Sequence, residues 1–233
     1  MPYLVATDLD GTLLRRDFTV SDRTRRALRE ATNSGVQVVY ATGRPPRWLP
    51  EVYEATGLSP ITVCANGALT LQDGEPLQVH AIPAETVLEV RDILTRLNTD
   101  FVFFEEHWRG HTLKMLAALP EGEVDEVLAE VRAAAGHLVE PTHSAFDRLL
   151  IEMGPSGVTK AFALLDLRAQ FWPEHTLIAV GDMPNDAAML QAADVAMTVT
   201  SGHPSLLEIA AEVLPGPEQD GLAQLLERLS KVP

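Results

Sequence analysis

Thiols and positive charge are both scarce in this sequence, and no apolar run approaches the roughly 18 residues that a membrane-spanning helix needs. A single cysteine, Cys64, excludes an intrachain disulfide and argues against a zinc site built on cysteines. Lys and Arg number 18 against 33 Asp and Glu, a formal charge of -15, which argues against a nucleic-acid or anionic-membrane surface. The first eight residues, Met1 to Asp8, carry no basic region and no long apolar core, so they do not read as a signal peptide. The expected setting is soluble, reducing and cytoplasmic. What is present is globular in character: 46% hydrophobic and 22% charged residues over 233 positions, enough for one large domain or two small ones.

Periodicity divides the chain into three stretches. Residues 3–7 form a short apolar run that ends at an acidic turn, and residues 21–34 place apolar and small side chains at helical spacing. The same strand-then-helix rhythm continues with strands at 36–40 and 61–65 around a helix at 48–55, which predicts a parallel sheet covered on both faces. After Asn66-Gly67 the rhythm changes. A hairpin over 68–71 and 76–81 is followed by a helix at 84–97, strands at 101–105 and 111–115, a helix at 121–135, and strands at 137–140 and 147–153. This αββαββ stretch reads as a second α+β unit inserted into the first. The α/β rhythm then resumes with a helix at 159–170, a strand at 177–180, a helix at 185–192, a strand at 195–197 and a final helix at 220–229.

Four segments carry chemistry. Asp8-Leu9-Asp10-Gly11-Thr12 follows the first strand, at the sheet edge where ligands bind in open α/β folds. Carboxylates at i and i+2 can share one site and, beside a hard cation, ionise differently, one as nucleophile and the other handling a proton. A plain acidic turn also favours Asp, Gly and Thr, so this segment alone leaves both readings open. Gly181-Asp182-Met183-Pro184-Asn185-Asp186 follows another strand and supplies the oxygen donors of a magnesium site. Helix capping by Asp182 or Asn185 explains one acid there but not the set. Lys160 is one of only three lysines, with Lys114 and Lys231, against fifteen arginines. It stands at a helix start, where the helix dipole disfavours a cation, so either it meets a phosphate or carboxylate or it is an ordinary exposed lysine. Ala41-Thr42-Gly43-Arg44-Pro45 offers a hydroxyl and backbone N–H groups to an anion, or is a turn into a Pro-initiated helix.

In order, and each at a strand end or helix start, these four segments resemble the motifs of the haloacid dehalogenase superfamily of phosphohydrolases. The Gly-Asp-x-x-Asn-Asp form, the Ala-Thr-Gly-Arg-Pro form and Ala65-Asn66-Gly67-Ala68 look like the Cof-type subgroup with a C2B cap. The resemblance implies a doubly wound parallel-sheet core from residues 1–81 and 157–233, with a small α+β cap inserted at residues 82–156. It implies that Asp8 attacks phosphorus to form an aspartyl-phosphate, and that Asp10, protonated at the start, serves the leaving alcohol and then the attacking water as acid and base. Mg2+ would be held by Asp8, the backbone carbonyl of Asp10 and Asp182, with Asp186 orienting metal-bound water or Lys160. Thr42, Lys160, Asn185 and the Leu9 backbone would hold phosphoryl oxygens, and Gly43 and Arg44 would contact phosphate or substrate. Two positions depart from the subgroup: Thr198-Val199-Thr200 stands in place of Gly-Asn-Ala, and Ala161 in place of a glycine.

The expected function is a magnesium-dependent phosphatase acting on small phosphate monoesters, such as sugar phosphates or phosphoglycolate-like metabolites. A phosphotransferase or mutase using the same aspartate, and a non-catalytic magnesium-binding phosphoreceiver, are the alternatives. The expected partner is a small phosphorylated metabolite, with no nucleic acid or membrane, and the chain is expected to work as a monomer or homodimer. Specificity would lie in the cap, where Glu105, Glu106, His107, Trp108 and Arg109 flank a hairpin turn that otherwise reads as exposed polar loop. His107 and His111, four apart on a hairpin, do not make a metal pair. Cys64 reads as a small core residue, and Trp48, Phe101, Phe103 and Phe104 as packing.

Overall fold

A computed structural model describes residues 2–144 and 149–231. The first strand, β1 (Tyr3–Thr7), is buried from Leu4 to Thr7, because both faces of the sheet it belongs to are covered. Helix α1 (Asp22–Asn33) starts where the Ser21 hydroxyl accepts the Thr24 backbone N–H at 2.9 Å, and it buries the stripe Ala27, Leu28, Ala31. Then follow β2 (Gln37–Ala41), α2 (Leu49–Thr56), β3 (Thr62–Cys64) and the hairpin β4 (Leu69–Gln72) and β5 (Glu75–Val79).

The middle of the chain supplies α3 (Ala84–Leu97), β6 (Val102–Trp108), β7 (His111–Ala118), α4 (Val124–Ala135), β8 (Val139–Thr142) and β9 (Leu150–Pro155). The last third supplies α5 (Lys160–Phe171), β10 (Thr176–Gly181), α6 (Ala187–Ala192), β11 (Val195–Val199), α7 (Pro204–Leu207), β12 (Glu212–Leu214) and α8 (Gly221–Leu229).

Two sheets result. The larger has the order β12-β11-β10-β1-β2-β3-β4-β5, parallel from β12 to β3 and finished by the antiparallel β4–β5 hairpin. Alternation along β1 divides its core between the faces. Val5 packs with Leu28 and Leu225 of α1 and α8, whereas Leu4 and Ala6 pack with Ala163, Leu164 and Met189 of α5 and α6. The smaller sheet is antiparallel, in the order β6-β7-β9-β8. Val90 and Leu94 of α3 and Val131 of α4 close one of its faces against Met115, Ala117, Ile151 and Met153. The alternate residues, among them Lys114, Leu116, Leu150 and Glu152, face the ends of the large-sheet strands.

The α/β reading and most elements match the sequence expectations, with differences at the ends. β6 and β7 run further than the expected 101–105 and 111–115, because strand pairing continues to Trp108↔His111 at the turn and Val102↔Ala118 at the far end. The helix expected at 185–192 opens with a 3₁₀ turn at Pro184–Asp186 before α6. The strand expected at 147–153 begins at Leu150 within the described residues, and Asp147 lies outside them. α7 and β12 have no counterpart in the sequence reading, being only four and three residues long, too short for periodicity to register. Among the described residues no helix is long and apolar enough to cross a membrane.

Candidate active site

The parallel strands place the sequence motifs side by side at one edge. The Asp8 backbone N–H donates to the Val180 carbonyl at 2.8 Å, so pairing of β1 with β10 continues one residue past the strand and sets Asp8 beside Gly181-Asp182. The loop after β2 is stitched to the turn after β3: Ala65 N–H donates to the Arg44 carbonyl and Asn66 N–H to the Thr42 carbonyl, at 2.9 and 3.1 Å. The buried Thr42 hydroxyl accepts the Arg44 backbone N–H at 3.0 Å, holding that loop tight.

Lys160 is not a surface lysine. It is fully buried at the start of α5, and its Nζ donates to Asp8 Oδ1 at 2.7 Å and to Asp186 Oδ1 at 2.6 Å. Burial opposes its charge, but Asp186 and Asp8 outweigh burial and hold the ammonium above its ordinary pKa. Asp186 Oδ2 accepts the backbone N–H groups of Asp182 and Met183, each at 3.1 Å. The turn is therefore capped by Asp186, not by Asp182 or Asn185, and Asp182 is left for other work. Its Oδ1 accepts the Thr12 hydroxyl at 3.0 Å.

Carboxylate oxygens of Asp8, Asp182 and Asp186, all buried, lie within 4.8 Å of one another. Burial pushes the Asp8 carboxyl well above the usual carboxylate range; Lys160 pulls it back, while Asp186, Asp182 and Asp10 push it further up. Burial, then Asp186, push Asp182 up to about 7. Three acids facing one ammonium in a desolvated pocket are short of positive charge, and their hard oxygen donors suit Mg2+. The fit is also steric. Gly11, at φ +81, leaves room that a Cβ would fill 2.4 Å from Asp182 Oδ2.

Asp10 stands apart from this cluster. Its carboxylate takes a bidentate pair from Arg44, Nε to Oδ2 at 2.7 Å and Nη2 to Oδ1 at 2.5 Å, and the Arg44 guanidinium lies 4.9 Å from the Phe18 ring centre. Arg44 is thus engaged with Asp10 while also lining the cavity. The Leu9 side chain is buried in the core, and its carbonyl accepts the Leu13 and Leu14 backbone N–H groups at 3.0 and 2.7 Å. Asp8, Asp10, Thr42, Gly43, Arg44 and Asn185 all border one cavity of about 260 Å³.

Sequence reasoning missed the opposite wall. Lys114 of β7 is buried, with Nζ donating to Glu152 Oε2 at 2.6 Å and to the Gly43 carbonyl at 2.8 Å. Burial penalises the Glu152 carboxylate, but Lys114 and hydrogen bonds from Lys114, Ser144 and Asn66 overcome that and hold its pKa below the ordinary value. Asn66 Nδ2 donates to Glu152 Oε2 at 2.8 Å, and Asn185 Nδ2 to Asn66 Oδ1 at 3.1 Å. A chain of contacts therefore runs from the small sheet to the Asp182 loop. The rarity of lysine was the signal that could have flagged Lys114, as it flagged Lys160. Of the hairpin candidates only Glu106 borders the cavity, where it pairs with Arg47; Arg109 lies on the Trp108 ring and pairs with Glu75, and His107 pairs with Glu105. Thr198, at the first position that departs from the subgroup, donates its hydroxyl to the Gly181 carbonyl at 2.8 Å and braces the Asp182 loop. Cys64 is fully buried, and burial pushes its thiol up to about 12.

Comparison with known proteins bears on the whole chain. A model of the haloacid dehalogenase-like hydrolase family matches residues 5–112 and 104–226. The 5-amino-6-(5-phospho-D-ribitylamino)uracil phosphatase YitU of Bacillus subtilis is 28% identical over 97% of this chain and 97% of its own length. The pyridoxal phosphate phosphatase YbhA of Escherichia coli is 24% identical over 96% and 97% respectively. Among solved structures, the phosphatase BT1666 of the HAD superfamily from Bacteroides thetaiotaomicron superposes with a TM-score of 0.83 at 22% identity, over 100% of this chain and 96% of that one.

Proposed function

The chain belongs to the haloacid dehalogenase-like hydrolases, and from that premise we propose that it is a magnesium-dependent phosphatase that hydrolyses small phosphate monoesters through an aspartyl-phosphate on Asp8. The observation that carries the proposal is the convergence of Asp8, Asp182 and Asp186 on the buried Lys160, with Asp10 bordering the same cavity. The relatives support it, since two proteins aligned over nearly their full length are phosphatases of phosphorylated small molecules.

In this reading Asp8 attacks phosphorus, the P–O bond to the alcohol breaks, and Asp10 gives the departing oxygen its proton. Asp10 then takes a proton from the water that cleaves the aspartyl-phosphate, returning Asp8 and inorganic phosphate. Asp10 acts as the acid after it has left Arg44 and taken up a proton from solvent. Lys160 favours the ionised form of Asp8, orients it and, with Thr42, Asn185 and the Leu9 and Gly43 backbone, offsets charge on the phosphoryl oxygens. Asp186 positions Lys160 and the Asp182 loop. Asp8, the Asp10 carbonyl and Asp182 would hold Mg2+, which when bound offsets the negative charge of the phosphoryl group. Residues 82–156 act as the cap over residues 1–81 and 157–233, and they supply Lys114, Glu106 and Glu152 to the leaving-group side of the cavity. A cavity of about 260 Å³ suits a small metabolite.

The test is phosphate release from a panel of phosphoglycolate, hexose phosphates, nucleoside monophosphates, pyridoxal phosphate and an aryl phosphate, with Mg2+ and with chelator. Turnover is expected only with Mg2+, and Asp8→Asn is expected to lower it on the order of a thousandfold or more. A folded, Mg2+-binding protein that releases phosphate from none of these compounds overturns the proposal, as does an Asp8→Asn variant with undiminished turnover.

A further inference from the structure

A second cluster of metal-binding side chains lies outside the active site, where the two sheets meet. Asp125 comes from the first turn of α4 and His143 from the segment after β8, both in the small-sheet half. His203 immediately precedes α7, in the loop after β11 of the large sheet. His143 Nε2 lies 2.9 Å from Asp125 Oδ1 and His203 Nε2 lies 3.7 Å from Asp125 Oδ2, with donor atoms of all three within 4.8 Å of one another.

We propose that Asp125, His143 and His203 form a second divalent-cation site, which takes a borderline transition ion such as Zn2+ and ties the small sheet to the loop after β11, itself hydrogen-bonded to Asp182. The donor set points to that class of ion. Two imidazoles with one carboxylate suit Zn2+, whereas Mg2+ favours oxygen donors alone, so this cluster and the Asp8 cluster select different ions. A tetrahedral site with bonds of about 2.0–2.1 Å needs donors roughly 3.4 Å apart, close to the observed spacings, and leaves one position for water.

The surroundings support a built site. His203 Nδ1 accepts the Ser205 backbone N–H at 3.2 Å and lies 2.7 Å from the Ser205 hydroxyl, contacts that fix the ring with Nε2 toward Asp125. The His143 and His203 rings meet edge to face with centroids 6.0 Å apart, and each has its Nε2 near the same Asp125 carboxylate. Asp125 is 65% exposed at its side chain, so an ion has a way in, while His143 is fully buried beneath it.

The cluster is also mechanically joined to the catalytic edge. The His203 backbone N–H donates to the Asp182 carbonyl at 2.7 Å. An ion that fixes His203 to Asp125 and His143 therefore fixes the backbone of a residue in the Asp8 cluster, and holds the small sheet closed over the cavity.

The experiment is a calorimetric titration of the full chain with Zn2+, repeated with Co2+ followed by visible absorption, on wild type, His203→Asn and Asp125→Asn. Asparagine at 203 keeps an oxygen acceptor for the α7 N-terminus, and position 125 is exposed, so equal melting temperatures in chelator verify the fold. The Asp8 cluster keeps its side chains in all three proteins, and a difference from wild type shared by His203→Asn and Asp125→Asn belongs to this site. Wild type is expected to bind one Zn2+ that each variant binds at least tenfold more weakly, to give the intense Co2+ absorption of a four-coordinate site, and to melt higher with Zn2+ while the variants gain less. Identical isotherms in the three proteins, or Co2+ spectra unchanged by either substitution, overturn the proposal whether or not the chain proves to be a phosphatase.

Discussion

Gly11 shows how much of the site depends on single atoms. Its φ of +81 suits glycine, and an added Cβ would sit 2.4 Å from Asp182 Oδ2. Gly11→Ala is expected to destabilise the fold by about 1–2 kcal/mol through backbone strain, and to weaken Mg2+ binding by displacing Asp182; urea titration with and without Mg2+ separates the two effects. Asp182 also sets a pH dependence. Its pKa is raised from an ordinary 3.8 to about 7, first by burial. The folded state thus binds more protons than the unfolded one between those values, and this group's contribution to stability is complete below pH 3.8 and lost as pH rises through 7. In chelator, the melting temperature is expected to carry a component that falls from pH 5 to pH 8 and disappears in Asp182→Asn. Added Mg2+ should raise the melting temperature more at pH 8 than at pH 5, since the ion competes with the proton for these carboxylates.

Helix α5 reaches the site only because the turn after β3 touches its first residues. Ala65 and Asn66 both take left-handed conformations, at φ 50 and 57, and Gly67 at φ +107 brings its backbone so close that a Cβ would meet the Thr159 carbonyl at 2.3 Å. Thr159 caps α5 and Lys160 is its first residue. Gly67→Ala must therefore push α5 away or distort the turn. The expected result is a loss of about 1–3 kcal/mol in stability, together with a fall in kcat larger than the change in KM, because Lys160 moves relative to Asp8. Steady-state kinetics beside urea unfolding checks this, and a normal kcat in a destabilised protein would show that α5 keeps its place.

Beside the apolar packing of Leu113 and Trp108 on the large-sheet core, the contacts between the sheets include a buried polar set, an arrangement that gives little net stability but a definite geometry. Lys114 and Glu152, with side chains 5% and 6% exposed, form an ion pair at 2.6 Å whose lysine also holds the Gly43 carbonyl. Removing one partner leaves a buried charge: Lys114→Met is expected to cost about 3–5 kcal/mol, whereas the double variant Lys114→Met/Glu152→Leu should recover most of that. Denaturant titration of both variants reads the difference. The double variant should still lose affinity for substrate, since both side chains border the cavity. A double variant no more stable than the single one would mean that the ion pair holds more of the small-sheet packing than its geometry indicates.

The sequence by itself determined the α/β architecture, because continuous apolar strands separated by amphipathic helices have few other ways to bury their surface. The family resemblance implied that the four motifs share one site, and a parallel sheet puts strand ends along one edge, but it took the observed strand order to make Asp8, Thr42 and Asp182 neighbours. The helix expected at 21–34 does start from the Ser21 cap, since caps are local. Tertiary structure alone decided which acids share the buried ammonium and that Arg44 grips Asp10, because these depend on side-chain directions across separations of 26 to 152 residues. It alone brought Lys114, Glu152 and Asn66 to the far wall, and Asp125, His143 and His203 to one point. Those residues lie on strands, turns and helix ends whose local pattern reports only burial, and their meeting follows from the packing of one sheet against the edge of the other.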